Sequence, residues 1–299
     1  MTVRIGVTLP QFTDDRATFL DGARRAIDLG FDSLWVFDHL WPLSGERERP
    51  ILECWSTLAF LAEETTEVGI GSLVTRASLR HPVLLAKAAA TVAAIAPGRL
   101  IIGLGSGDHL NKGENDSFGA PYYTGTERME QLVATVTVLQ RFFREQVVTF
   151  DDRFASVSYL PPSPSLPVPP SVWLGGRSAE LLELAGRLAG GWNGWGANLD
   201  AFVEDAARVR AVAGERPFEI SWAGQVILGT DDADAAARLG TRDPAQYVAG
   251  GPETVRTELE RAVTAGAGHL IVALPAAGSP GAYEALAEAV APLRWAGGR

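Results

Sequence analysis

Eight times along this chain a short apolar run is followed by a stretch with helical spacing. The runs are Arg4–Leu9, Ser33–Phe37, Val68–Val74, Leu100–Leu104, Val172–Leu174, Trp192–Trp195, Glu219–Leu228 and His269–Leu274. The helical stretches are Arg16–Leu29, Glu53–Glu64, Pro82–Ile95, Thr126–Phe143, Ser178–Leu188, Ala201–Val212, Pro252–Ala265 and Tyr283–Leu293, the first stopping at a C-cap glycine, Gly30. Strands that alternate with helices pair in parallel. The runs are apolar throughout rather than alternating, which is the pattern of strands buried on both faces. Eight such units in 299 residues favour closure over an open doubly wound sheet. The expected fold class is α/β, a (β/α)8 TIM barrel with insertions after strand four and before strand five, occupying residues 1–299 as one domain.

Two stretches break the repeat. Residues 111–125 read as a long, polar, glycine-containing loop after strand four. Residues 145–170 read as a small hairpin (VVTFDDRFASVSY) and a stiff Pro-rich connection (PPSPSLPVPP). Long loops at the carboxyl ends of barrel strands commonly carry substrate contacts.

Composition narrows the function. With 26 basic and 36 acidic side chains the formal net charge is −10, against the basic patch that nucleic acid or an anionic membrane would require. The lone cysteine, Cys54, excludes a disulfide scaffold and a cysteine zinc site. No run of about 20 apolar residues is present, and Met1–Pro10 lacks a basic segment and cleavage site, so a cytoplasmic location is expected. The expected partner is a small-molecule substrate, with no nucleic acid and no membrane.

Chemistry in such a barrel belongs at the carboxyl ends of the strands. Strand two ends in Asp38-His39, and strand three runs through Ser72-Leu73 toward Arg76 and Arg80-His81-Pro82. Strand four ends in Gly103-Leu104-Gly105-Ser106-Gly107-Asp108-His109, strand five in Gly175-Gly176-Arg177-Ser178 and strand six in Asn193-Gly194-Trp195. His39 is a candidate base because imidazole titrates near neutrality. Adjacent residues of a regular strand face opposite ways, so Asp38 orients His39 only if the strand has already ended. The GLGSGD glycines permit close backbone approach to a ligand, but they follow strand four and do not form GxGxxG. Gly175-Gly176-Arg177-Ser178 enters a helix N-terminus, either as a phosphate site or as a turn with a serine cap. Trp41 and Trp195 could wall an aromatic ligand or pack in the core. His81 and His269 read as structural, the latter because it opens strand eight at its amino end. A metal hydrolase would want His-x-His after strand one, where the chain has Leu9-Pro10-Gln11.

Five of these motifs in order carry a resemblance: Asp38-His39 after WVF, GSLVT leading to RHP, GRLIIGLGSGD, WLGG at a helix start, and GGPETVRTELERAVTAGAGHLIVAL. Together they resemble the bacterial luciferase-like superfamily, and within it the oxidoreductases dependent on the deazaflavin coenzyme F420. The resemblance implies hydride transfer between coenzyme F420 and a small organic molecule, with an FMN-dependent monooxygenase as the alternative and a homodimer as the assembly. It implies that His39 is the active-site base and Asp108, where relatives more often carry Glu, an acid near the reacting carbon. It implies cofactor contacts from Asp38, Ser72, Leu73, Ser106, Gly107, Gly175, Gly176 and Arg177. It further implies a non-prolyl cis peptide between Ser72 and Leu73, backing the cofactor ring. A flavin-binding protein without catalysis is a further alternative, which loss of activity on replacing His39 would count against.

Overall fold

The computed structural model describes residues 2–42, 46–275 and 277–298. Its first half runs β1 (Arg4–Thr8), α1 (Arg16–Asp28), β2 (Ser33–Val36), α2 (Cys54–Glu64), β3 (Gly69–Arg76), α3 (Pro82–Ile95), β4 (Leu100–Gly105), α4 (Lys112–Ser117) and α5 (Gly125–Arg144). A two-stranded antiparallel hairpin, β5 (Val148–Asp152) and β6 (Ala155–Leu160), follows. The second half runs β7 (Ser171–Gly175), α6 (Ala179–Leu188), β8 (Gly191–Trp195), α7 (Leu199–Ala213), β9 (Glu219–Leu228), α8 (Asp232–Leu239), β10 (Tyr247–Gly250), α9 (Pro252–Thr264), β11 (His269–Ala273) and α10 (Ala282–Val290).

Eight parallel strands close in the order β1-β2-β3-β4-β7-β8-β9-β11, with β11 pairing back onto β1. This is the expected TIM-type barrel, and both insertions stand where the sequence puts them. The hairpin lies within residues 145–170 as read. The stretch 111–125 is more ordered than a loop, because it contains α4. Residues 229–251, unassigned by periodicity, hold α8 and a ninth parallel strand, β10, paired to the end of β9 outside the barrel.

Local chemistry explains the elements. Asp15 caps α1 by accepting from the amides of Ala17 (3.0 Å) and Thr18 (3.1 Å). Phe19, Leu20, Ala23 and Ala26 then form its buried stripe, and Gly30 ends it at φ 78°. The alanines of α3 let that helix lie close on the sheet, with Ala86, Ala89 and Ala90 fully buried.

Inside the barrel the space is filled by Trp35 and Trp173, whose centroids are 5.7 Å apart, with Leu73, Ala223 and Ile271. Two indoles fit because the neighbouring strands carry glycine. A Cβ on Gly71 would lie 2.3 Å from Trp35 and one on Gly191 2.7 Å from Trp173. His269 stacks edge-on to both rings at the amino end, its Nε2 2.7 Å from Ser33 Oγ. Burial pushes its pKa down to about 3, so it stays neutral, in keeping with a structural role. No helix among the described residues is long and apolar enough to cross a membrane.

Candidate active site

The site is assembled where the chain leaves β2, β3 and β4. Gln11, fully buried just past β1, fixes the first exit: its Nε2 donates to the carbonyls of Phe37 (2.8 Å) and Leu52 (2.6 Å), and its Oε1 accepts from Phe37 N (2.7 Å). The strand has ended by Asp38, and the two neighbours Asp38 and His39 go separate ways.

The Asp38 carboxylate is buried and turned toward strand three. It accepts from Arg76 N (2.9 Å) and takes a bidentate pair from Arg80 at 2.6 and 2.9 Å. Arg80 also reaches Glu53, which caps α2. Asp38 thus ties the exits of β2 and β3 together and does not touch the His39 ring. The partner of that ring is Glu114, on α4. Its Oε2 stands 3.3 Å from His39 Nδ1 and 2.9 Å from Arg76 Nη2, and its Oε1 accepts from the amides of Leu40 and Trp41. Glu114 is 0% exposed and His39 20%. Burial by itself would raise the Glu114 carboxyl, but the His39 and Leu40 hydrogen bonds and the Arg76 charge outweigh it and hold the group below its ordinary range. Arg76 is steadied in turn by Asn115 Oδ1 (3.0 Å) and by the Asp38 carbonyl (3.0 Å).

Sequence reasoning missed Glu114, Arg76, Asn115 and Gln11 as members of this cluster. The only signal for Glu114 was an acid in the polar stretch after strand four. The acid singled out there, Asp108, is exposed and accepts from Leu110 N at 2.8 Å, capping the short helical turn that leads to α4.

Strand three departs from regular pairing between Ser72 and Thr75. Ser72 still pairs with Ile102, its hydroxyl donates to the Gly103 carbonyl (2.9 Å), and it accepts from Thr75 Oγ1 (2.9 Å). The cis peptide joins Leu73 to Val74, not Ser72 to Leu73, because Ser72 is still held in register with β4. The bulge directs Val74 against β4 and β7: a Cβ on Gly105 would lie 2.6 Å from Val74, one on Gly175 2.7 Å and one on Gly103 3.0 Å. Gly105 and Gly175 make room for a valine, and Gly103 first of all for the Ser72 carbonyl, where the sequence suggested room for a ligand. Gly107 and Gly176 instead hold positive φ, 72° and 141°.

Ser106 and Gly107 line a small crevice with Ser78, Asp108, Asn111, Tyr122, Tyr123 and Arg128. The acids beside Arg128 on α5, Glu127 and Glu130, turn away to Arg153. Arg177 does not point to this crevice; it pairs with Asp205 at 2.7 Å, while Ser178 caps α6. His81 caps α3, the structural role expected of it. Trp195 is 38% exposed at the end of β8 and meets Phe37 edge-on at 6.0 Å. A cavity of about 680 Å³ opens at the opposite, amino-terminal end around Arg4, Arg99 and His269. Barrel chemistry sits at the carboxyl end, so this cavity is set apart from the site. Among the described residues no cluster of His, Cys, Asp and Glu is arranged to hold a metal ion.

The arrangement resembles known proteins along its whole length. An F420-dependent hydroxymycolic acid dehydrogenase of Mycobacterium tuberculosis is 28% identical over 294 residues, covering 96% of this chain and 79% of that protein. An F420-dependent glucose-6-phosphate dehydrogenase of Intrasporangium calvum is 32% identical over 177 residues, covering 58% of this chain and 52% of that protein, about half its length. The solved F420-dependent secondary alcohol dehydrogenase in complex with an F420-acetone adduct shares the fold, with a TM-score of 0.82 at 19% identity over 98% of this chain and 99% of that one. The sequence pattern described as luciferase-like monooxygenase matches residues 2–292, and the chain belongs to that family.

Proposed function

We propose that the protein is an F420-dependent oxidoreductase that transfers a hydride between the coenzyme and a small organic substrate, with His39 exchanging the substrate proton. The observation that carries this reading is the His39–Glu114 pair, which stands at the carboxyl end of the barrel beside the bulged third strand. The relatives described as F420-dependent dehydrogenases support the choice of coenzyme.

The residues present fit such a group. Arg128 and the hydroxyls of Ser78, Ser106, Tyr122 and Tyr123 would take an anionic tail, with Asp108 in the same crevice engaged in capping its own turn. Gly107 and Gly176 hold positive φ, and a Cβ there would meet Asn111 at 2.9 Å and Leu181 at 2.7 Å, so each shapes the rim of the site. Asp38 contributes through its hold on Arg76 and Arg80. When bound, the deazaflavin supplies a carbon that accepts or gives a hydride.

The protein's own part is proton management. Glu114 accepts the His39 Nδ1 proton, which leaves the Nε2 lone pair free to take the proton of a substrate hydroxyl. The carboxylate then steadies the imidazolium, and Arg76 keeps Glu114 ionised throughout. In the reductive direction His39 returns that proton to a carbonyl oxygen. We assign the carboxylate role to Glu114 over Asp108 because Asp108 caps its own turn at the rim. The same reading carries a cytoplasmic location and a homodimer, checked by fractionation and light scattering.

The test is titration of the purified protein with coenzyme F420 and with FMN, followed by absorbance and fluorescence. Tighter binding of F420 is expected. Micromolar FMN affinity without F420 binding would reverse the assignment.

A further inference from the structure

We infer that the substrate is an uncharged, largely apolar alcohol or ketone, held between two aromatic walls that flank His39; this rests on the oxidoreductase reading above. Phe37 precedes His39 by two residues and Trp41 follows it by two. Phe37 leads to one wall: its ring meets Trp195 at 6.0 Å and Phe12 at 6.2 Å. Trp41 leads to the other: it meets Phe118 edge-on at 6.4 Å and covers Gly113, where a Cβ would lie 3.5 Å from the indole. Gly113 adjoins Glu114, so this wall stands on the same helix that holds the His39 ring.

Trp195 and Phe118 are not core, and Phe37 is only partly buried against the barrel interior. Trp195 is 38% exposed and Phe118 56%, whereas the neighbouring strand indoles of Trp192 and Trp222 are fully buried. Single exposed apolar side chains need no explanation. Phe37 and Trp41 bring these aromatics to either side of His39 along the chain, and aromatic side chains with few polar groups among them are the lining that small-molecule sites use.

Charge points the same way. A phosphorylated substrate needs cations free to grip its oxygens. Arg76 and Arg80 are turned inward to Glu114, Asp38 and Glu53. Arg177 is paired with Asp205 and Lys112 with Asp116. Arg47 and Arg49 lie on the rings of Trp41 (4.4 Å) and Phe12 (4.6 Å). Arg128 stands in the crevice assigned to the coenzyme tail. The sequence has two lysines, and the other, Lys87, is bonded to the Ser163 carbonyl.

The step balances. On oxidation of a secondary alcohol the carbinol C–H bond breaks and both its electrons leave with the hydride to the oxidised deazaflavin. The O–H bond breaks, its proton goes to His39 Nε2, and a C=O bond forms.

The test is calorimetric binding of acetophenone and of glucose 6-phosphate, first to the cofactor-free protein and then with coenzyme F420 present. It is followed by F420-linked turnover of cyclohexanol and of glucose 6-phosphate. Acetophenone should bind at least about tenfold tighter than the phosphosugar. Trp195→Ala or Phe118→Ala should each weaken it by roughly tenfold while leaving F420 affinity within about twofold. Arg47→Gln with Arg49→Gln should cost ketone binding less than Trp195→Ala does. Preferred binding and turnover of glucose 6-phosphate, or a greater loss in the arginine variant than in Trp195→Ala, would overturn the inference and leave the coenzyme reading intact. Ketone binding without F420 binding would do the opposite.

Discussion

Replacing Glu114 by Gln isolates the charge that the active site hides. The side chain keeps its shape and can still accept from the Leu40 amide, but it then presents an NH2 group to both His39 Nδ1 and Arg76. In the native protein one carboxylate oxygen serves both, at 3.3 and 2.9 Å. At that separation and an effective dielectric near 20, Coulomb's law gives about 5 kcal/mol between a carboxylate and an imidazolium, an upper bound on what the variant forfeits. Turnover with an alcohol should therefore fall roughly 10²- to 10⁴-fold, the span of a positioned acid–base group. The sign for pH follows from the same charge. Without the carboxylate, and with Arg76 still nearby, a positive charge on the ring loses its partner, and the acid limb of kcat/KM is expected to move to lower pH. The assay is a pH profile of kcat/KM by F420 absorbance, run beside thermal unfolding, because Arg76 is left buried without its partner. Rescue of the limb in Glu114→Asp would tie the effect to charge. Asp108→Asn serves as the comparison and should leave the limb in place. A Glu114→Gln enzyme with a plateau within about threefold of the native one and an unmoved acid limb would refute the pairing, as would a larger effect at Asp108.

Three further outcomes are expected. His39→Ala should lower turnover by roughly 10²- to 10⁴-fold while F420 affinity, read by fluorescence titration, changes little; near-normal turnover would move the base elsewhere. Gly175→Ala should destabilise the fold by about 1–3 kcal/mol in urea unfolding, because its Cβ would sit 2.7 Å from Val74, and Val74→Ala should restore much of the loss; additive effects of the two would show that they do not collide. His269 has its folded pKa pushed down to about 3 from an ordinary 6.5, so its neutral burial contributes stability that is present above pH 6.5 and lost as pH falls toward 3. Acid unfolding of His269→Gln should show a shallower slope over that window by up to about 1.4 kcal/mol per pH unit, and an unchanged slope would mean that the imidazole protonates in place.

The barrel was legible because its strands are buried on two faces, so each shows as an unbroken apolar run, and because glycine and proline punctuate the helices. The short β10 was not legible, since Tyr247–Gly250 is four residues long and gains its meaning only by extending β9. The glycines at 103, 105 and 175 showed that something large lay close by, but Val74 comes from another strand and is brought there by a bulge. His39 was legible from its place at a strand end. Its partner was not, because Glu114 is 75 residues away and its polar surroundings gave no apolar rhythm to betray a buried side chain.

That distance separates two properties that one barrel must supply. The sheet and its outer helices owe their cohesion to apolar layers that do not include residues 108–124. Yet the carboxylate that pairs with His39 arrives on that segment, threaded between β4 and α5. The scaffold and its reactivity can therefore be inherited independently. Exchanging this one stretch between related chains would place a different partner beside an unaltered histidine, provided that the new stretch also supplies a mate for the buried Arg76.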